Sequence, residues 1–129
     1  MITITEKEMK TLLSSQQGEL DGVAMYQALA QVVKNPKDKE TFLQLAKEEG
    51  GHAAVFHKLT GKKLKAKKWK GTALSALYRV IGKKRLYHLI AKGEYAAVKT
   101  YKPVVERFPE VKSVQNDEKR HGDVVMGLL

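Results

Sequence analysis

From Leu12 onward, apolar side chains and a few polar ones return at alternating steps of four and three: Leu12, Gln16, Glu19, Val23, Tyr26, Ala30 and Val33. Such a period puts them on one stripe of an amphipathic helix. Thr5 followed by Glu8 has capping-box spacing and marks its start; its end is expected near Lys34. Asn35-Pro36 supplies a cap and a first-turn proline for a second helix, whose stripe is Phe42, Leu45, Glu49, His52, Phe56 and Leu59 and which stops before Gly61. Gly71-Thr72 opens a short helix through Ile81, and Gly82 separates it from a third long helix carrying Tyr87, Ile90, Glu94, Ala97 and Tyr101. Pro103 is expected to end or kink that helix, because it lacks an amide hydrogen and its ring crowds the preceding turn. Phe108-Pro109-Glu110 opens a fourth helix with Val111, Val114, Glu118, His121, Val125 and Leu128 on its stripe. No Val/Ile/Thr run alternates with period two between turn residues, so strands are not expected. The pattern predicts an all-α four-helix bundle, built as two antiparallel hairpins joined by a long crossover that contains the short helix. One domain is expected over 1–129, with the crossover at about 60–71.

Six positions break the apolar stripes: Glu19, Glu49, His52, Glu94, Glu118 and His121, each flanked one turn away by apolar neighbours. Burying one unpaired ionised carboxylate costs several kcal/mol, against a total domain stability of about 5–15 kcal/mol. Four of them need compensation, and the stripes carry no Lys or Arg at these levels. Two divalent cations would balance four carboxylates, with two neutral imidazoles completing the ligand set. In each Glu-x-x-His pair the side chains lie three residues apart on one helix face, so both reach one metal, while the single glutamates on the other helices bridge or chelate. Either pair alone is a common surface turn; two pairs in register, plus one stripe glutamate on each remaining helix, point to a dinuclear site. Carboxylate and imidazole without thiolate suit Fe(II) or Mn(II), and Zn(II) would also bind. His57 and His88 serve as controls, because at about 100° per residue they point roughly 140° and 120° away from His52 and Glu94.

The halves of the chain echo one another: GELDGVAMY from Gly18 to Tyr26 matches GEYAAVKTY from Gly93 to Tyr101 in Gly, Glu, Val and Tyr. Each half then supplies its own Glu-x-x-His, the mark of an internal duplication. Tyr26 and Tyr101, seven residues after a candidate ligand, return to the ligand face two turns away. They either hydrogen-bond liganding carboxylates or carry an electron, or else simply pack as aromatics.

Charge adds a second theme. Lys+Arg number 24 against 14 Asp+Glu, a formal +10, and Lys58, Lys62, Lys63, Lys65, Lys67, Lys68 and Lys70 supply seven of those charges within thirteen residues free of acid. The simpler reading of this run is a solvated connector, since a single aromatic, Trp69, is interleaved. The functional reading is a patch for nucleic acid or an acidic protein, which Lys83, Lys84 and Arg85 would extend. The absence of cysteine excludes disulfide scaffolds, iron-sulfur clusters and cysteine nucleophiles. The charged opening MITITEKEMK and the lack of any long apolar run predict neither a leader nor a membrane span, hence a cytoplasmic protein.

Taken together, these residues resemble the ferritin-like diiron-carboxylate superfamily, whose pattern is Glu, Glu-x-x-His, Glu, Glu-x-x-His over four helices, and within it the rubrerythrin branch, from about Leu12 to Val125. The resemblance implies a ferritin-like fold, two iron ions held by Glu19, Glu49, His52, Glu94, Glu118 and His121, and Tyr26 and Tyr101 as the paired tyrosines of the branch. It implies reduction of hydrogen peroxide to water or, as in ferritin relatives, oxidation of Fe(II). Two features depart from the branch. Ala97 stands where rubrerythrins typically carry a further glutamate, three residues after the helix-three ligand, which removes the redox-linked exchange of that carboxylate with a histidine. A cysteine-rich rubredoxin-like domain is also absent from the sequence, so an external electron-donor protein is expected, and an acidic one would suit the lysines. Without the short fifth helix of typical ferritins, a cage is not expected.

The leading expectation is therefore a diiron oxidoreductase that reduces peroxide or dioxygen and protects against oxidants, working as a homodimer whose hairpins the crossover could exchange. An iron-binding or storage protein, DNA-associated through its lysines and with only incidental ferroxidase activity, is the alternative. A metal-bound structural bundle without turnover is the third.

Overall fold

A computed structural model describes residues 3–129; Met1 and Ile2, which begin the opening segment read above as no leader, lie outside the described residues. The helices are α1 (Glu6–Val32), α2 (Pro36–Thr60), α3 (Trp69–Arg107) and α4 (Lys112–Met126), with a 3-10 turn at Pro109–Val111. No strand occurs among the described residues, so the fold class is all-α as expected. No described helix is long and apolar enough to cross a membrane. The chain divides into two compact units, Met1–Ser75 and Ala76–Leu129, with the boundary inside α3.

The first unit is a hairpin of α1 and α2. Its local signals act as the sequence predicts: the Glu8 amide donates to Thr5 Oγ1 at 3.1 Å while the Thr5 amide donates to Glu8 Oε1 at 2.9 Å. Asn35 Oδ1 accepts from the Lys37 amide at 2.8 Å and caps α2. At its far end Gly61 takes a left-handed φ of 68°, a conformation that costs glycine little. Leu12, Leu29, Phe42, Leu45 and Phe56 on these helices are almost wholly buried. Each such side chain contributes about 1.5–3 kcal/mol by leaving water.

Residues 61–68 are irregular, yet they do not hang as a loose connector. Side chains of α1 reach their backbone: Gln16 Nε2 donates to the Lys62 carbonyl and Gln17 Nε2 to the Lys65 carbonyl, each at 2.8 Å, and the Lys67 amide donates to Asp21 Oδ1 at 2.8 Å. Lys70 Nζ closes the strap on Asp21 Oδ2 at 2.7 Å. Burial alone would push the Asp21 carboxyl up. The hydrogen bonds from Lys70, the Lys67 amide and Gln17, together with the Lys70 charge, outweigh that and hold it below the usual carboxylate range. Just beyond, α3 starts flush against α1, so close that a Cβ on Gly71 would lie 2.8 Å from the Ala24 carbonyl oxygen.

The second unit is built from the rest of α3 and α4. Gly82, at φ 84° and ψ 171°, interrupts the helical backbone of α3, which separates the short helix at 69–81 from the long one as the glycine predicts. Of the two outcomes expected at Pro103, an end to the helix does not occur. Gly82 is the one non-helical position within α3, and the helix runs through Pro103 to Arg107. The proline forfeits a backbone bond and crowds the turn before it, at about 3 kcal/mol, but Tyr101, Val104 and Phe108 around it are buried and offset the loss. The Phe108 amide closes the end on the Val104 carbonyl at 2.7 Å. Pro109 then leads a 3-10 turn, and α4 proper begins at Lys112, one turn later than Phe108-Pro109-Glu110 suggests. Gln115 Nε2 donates to the Val98 carbonyl at 2.8 Å, and Tyr95 Oη donates to Asp123 Oδ1 at 2.6 Å, tying α4 antiparallel to α3.

Candidate metal centre

Each unit holds one Glu plus one Glu-x-x-His, and in each the three side chains converge. In the first unit, Glu19 of α1 meets Glu49 and His52 of α2, where His52 Nδ1 lies 2.7 Å from Glu19 Oε1 and 3.2 Å from Glu49 Oε2. In the second, Glu94 of α3 meets Glu118 and His121 of α4, with His121 Nδ1 3.6 Å from Glu94 Oε2 and 3.8 Å from Glu118 Oε1. All six residues are buried, between 0% exposed for His121 and 9% for Glu94. Local periodicity explains the convergence: the three-residue spacing stacks both side chains of the pair on one face, and the short α1–α2 turn and the Pro109 turn bring the single glutamate alongside.

Within each triad every residue offers a ligand atom, and these atoms lie within 4.8 Å of one another. Metal-to-donor bonds of about 2.0–2.2 Å separate two donors on one ion by roughly 3–4 Å. The second triad has that spacing. In the first, Nδ1 is within hydrogen-bonding reach of both carboxylates, and a metal bound at Nδ1 needs that nitrogen free of its proton. Two carboxylates and a neutral imidazole carry a charge of −2, which one divalent cation cancels. Oxygen and nitrogen donors without sulfur fit iron or manganese, and the residues present therefore suit a metal group.

The outer surroundings of the triads differ. Gly22, one turn after Glu19, lets α1 pass close to Glu49, and a Cβ there would meet the Glu49 carboxyl carbon at 3.5 Å, an ordinary contact. Its counterpart in the second unit is Ala97, which is half-buried. Tyr26 and Tyr101 are both buried, 4% and 5% exposed. Tyr26 stacks on Phe42 with ring centres 5.8 Å apart and planes 14° from parallel. His57 and His88 are exposed, as their helical angles require.

Sequence reasoning missed several supporting residues. Asp21 lies off the α1 stripe yet is 2% exposed, because the strap covers it. Tyr95 is likewise off its stripe, and its ring lies over Gly122, where a Cβ would come within 2.5 Å of it. The hydrogen bond to Asp123 holds the Tyr95 hydroxyl above its ordinary value, and the same bond, with Lys119, holds Asp123 below its own. The only sequence trace of this pairing is the Tyr-for-Leu difference between the two echoing segments.

Among known protein families, the model described as Rubrerythrin matches residues 10–129. No match was found among the curated proteins or among the solved structures. The match covers nearly the whole chain, which therefore belongs to the rubrerythrin family, a ferritin-like diiron family.

Proposed function

We propose, from membership of the rubrerythrin family and from the two buried carboxylate-histidine triads, that this protein is a diiron oxidoreductase that reduces hydrogen peroxide with electrons from an external donor protein. The observation that carries the reading is the burial of four carboxylates in two Glu plus Glu-x-x-His sets, whose negative charge two divalent cations would balance. In this reading Glu19, Glu49 and His52 act with Glu94, Glu118 and His121 as the ligands of two irons. Two irons held there would supply one electron each, so that H2O2, two electrons and two protons would give two waters. The carboxylates hold the charge of the centre near neutral, and the histidines fix its geometry. Tyr26 and Tyr101 are proposed to steady liganding carboxylates or to relay an electron from the surface. Ala97 has no donor atom, so no side chain at that position could exchange with a histidine as ligand.

The test is anaerobic loading with Fe(II), followed by one equivalent of peroxide in a stopped-flow instrument. The proposal expects two irons per chain and oxidation far faster than that of free iron, with both lost in Glu49→Ala and in Glu118→Ala. Oxidation no faster than free iron, or variants that behave as wild type, would overturn it. Faster reaction with dioxygen than with peroxide would favour the ferroxidase alternative.

A further inference from the structure

No Asp or Glu occurs between Glu49 and Glu94, a stretch that holds half of the 24 Lys and Arg. The part of it in the first unit is built as a surface. Along the strap, Lys63, Lys65 and Lys67 are exposed while the intervening Leu64 and Ala66 are half-buried. This two-residue alternation turns the apolar pair inward: Leu64 borders a hollow with Gln16 and Leu20, and Ala66 borders another with Val23 and Ala24. The backbone is held from beneath by Gln16, Gln17 and Asp21. A loose connector would let its backbone wander; here the backbone that carries the lysines is held in place. Its single acidic contact, Asp21, engages Lys70 and leaves Lys62, Lys63, Lys65, Lys67 and Lys68 with exposed side chains. At the end of the row Trp69 is 65% exposed, with the Lys70 ammonium 5.9 Å from its ring centre.

Exposed lysines carried on a tied-down backbone beside an exposed indole combine the two elements that hold unpaired nucleic acid without regard to sequence: cations for the phosphates and a flat ring on which a base stacks. We infer that the strap Lys62–Lys68 with Trp69 binds single-stranded nucleic acid. An acidic protein would engage the same charges, and stacking of a base on the indole is the contact that sets nucleic acid apart from it. The inference is independent of the metal-centre reading, because metal-free protein should bind as well as loaded protein.

Trp69 is the sole tryptophan, so intrinsic fluorescence reports directly on the proposed contact. Titration with an oligothymidylate should quench it, and affinity should fall with salt on a log–log slope of about −3, near 0.7 per neutralised phosphate. The combined variant Lys63→Gln, Lys65→Gln, Lys67→Gln and Lys68→Gln leaves the Asp21–Lys70 contact intact; it should keep the helical circular dichroism while losing most of that slope. In Trp69→Leu, followed by anisotropy of a labelled oligonucleotide, affinity should drop about tenfold or more, as loss of a stacked base implies. Equal affinity for polyglutamate with no change in fluorescence would overturn the inference in favour of an acidic protein partner. Tighter binding to duplex DNA without quenching would overturn the single-stranded reading, and a wild-type slope in the lysine variant would remove the strap from any role.

Discussion

The two triads use the same three donors, yet the residues next to them have diverged. In the first unit the glutamate of α1 is followed by Leu20, Asp21 and Gly22; in the second the glutamate of α3 is followed by Tyr95, Ala96 and Ala97. The residue after each histidine changes in compensation, Ala53 in one and Gly122 in the other. Where the helix supplies a tyrosine ring, its neighbour has given up its Cβ to make room. The first unit is braced by a strap that Asp21 holds, whereas the second, with alanine at that position, is braced by Tyr95 on Asp123 and Gln115 on Val98. The ligands are kept because no other side chains supply that charge and geometry at a buried position. Their supports are free to change, since many contacts fix a helix equally well.

The comparison breaks most readily at the ligands. His52→Ala and His121→Ala should each reduce tightly bound metal from two per chain toward one, with a loss of affinity beyond the roughly 10–100-fold that outer partners cost. Metal analysis after purification without chelator reads this; full metal retention in either variant would mean that its triad is not a ligand set. Asp21→Ala comes next. It strands the Lys67 amide and the Lys70 ammonium, and should cost about 2 kcal/mol in urea unfolding, whereas Ala96→Ser at the matching position should be near neutral. A smaller effect, about 1 kcal/mol, is expected for Gly122→Ala, because the new methyl displaces the Tyr95 ring and breaks its bond to Asp123. Adding Tyr95→Leu recreates the Leu20 and Ala53 pairing of the first unit, so the double variant should recover much of that loss; simple additivity would show that the two positions are not coupled. The smallest change is Gly22→Ala, whose Cβ makes ordinary contact with Glu49. Better helix propensity should leave stability unchanged or raise it by up to about 1 kcal/mol, with metal content unaltered.

Helix limits were legible in the sequence wherever a local signal set them. Thr5 with Glu8, Asn35-Pro36, Gly61 and Gly82 act through backbone groups within a few residues, so their effect survives any tertiary context. The metal-binding residues were legible for a related reason, since charge on an otherwise apolar stripe is an anomaly that period alone exposes. Pro103 does not end α3 because its penalty is local, whereas the burial of Tyr101, Val104 and Phe108 that offsets it is not. Asp21 and Tyr95 were invisible because both lie off the stripes, and what covers them arrives from residues tens of positions away.

The order of amino acids by itself determined an all-helical chain, its turns, and two sets of carboxylates with histidine placed to face inward. These follow from hydrogen bonds and periodicities that reach no further than one or two helical turns. Only the folded chain decided that the lysine run is strapped to α1 rather than loose, that Asp21 is interior, and that Tyr95 sits over Gly122. Each depends on surfaces of elements far apart in the sequence, where the energy lies in contacts that no single segment contains.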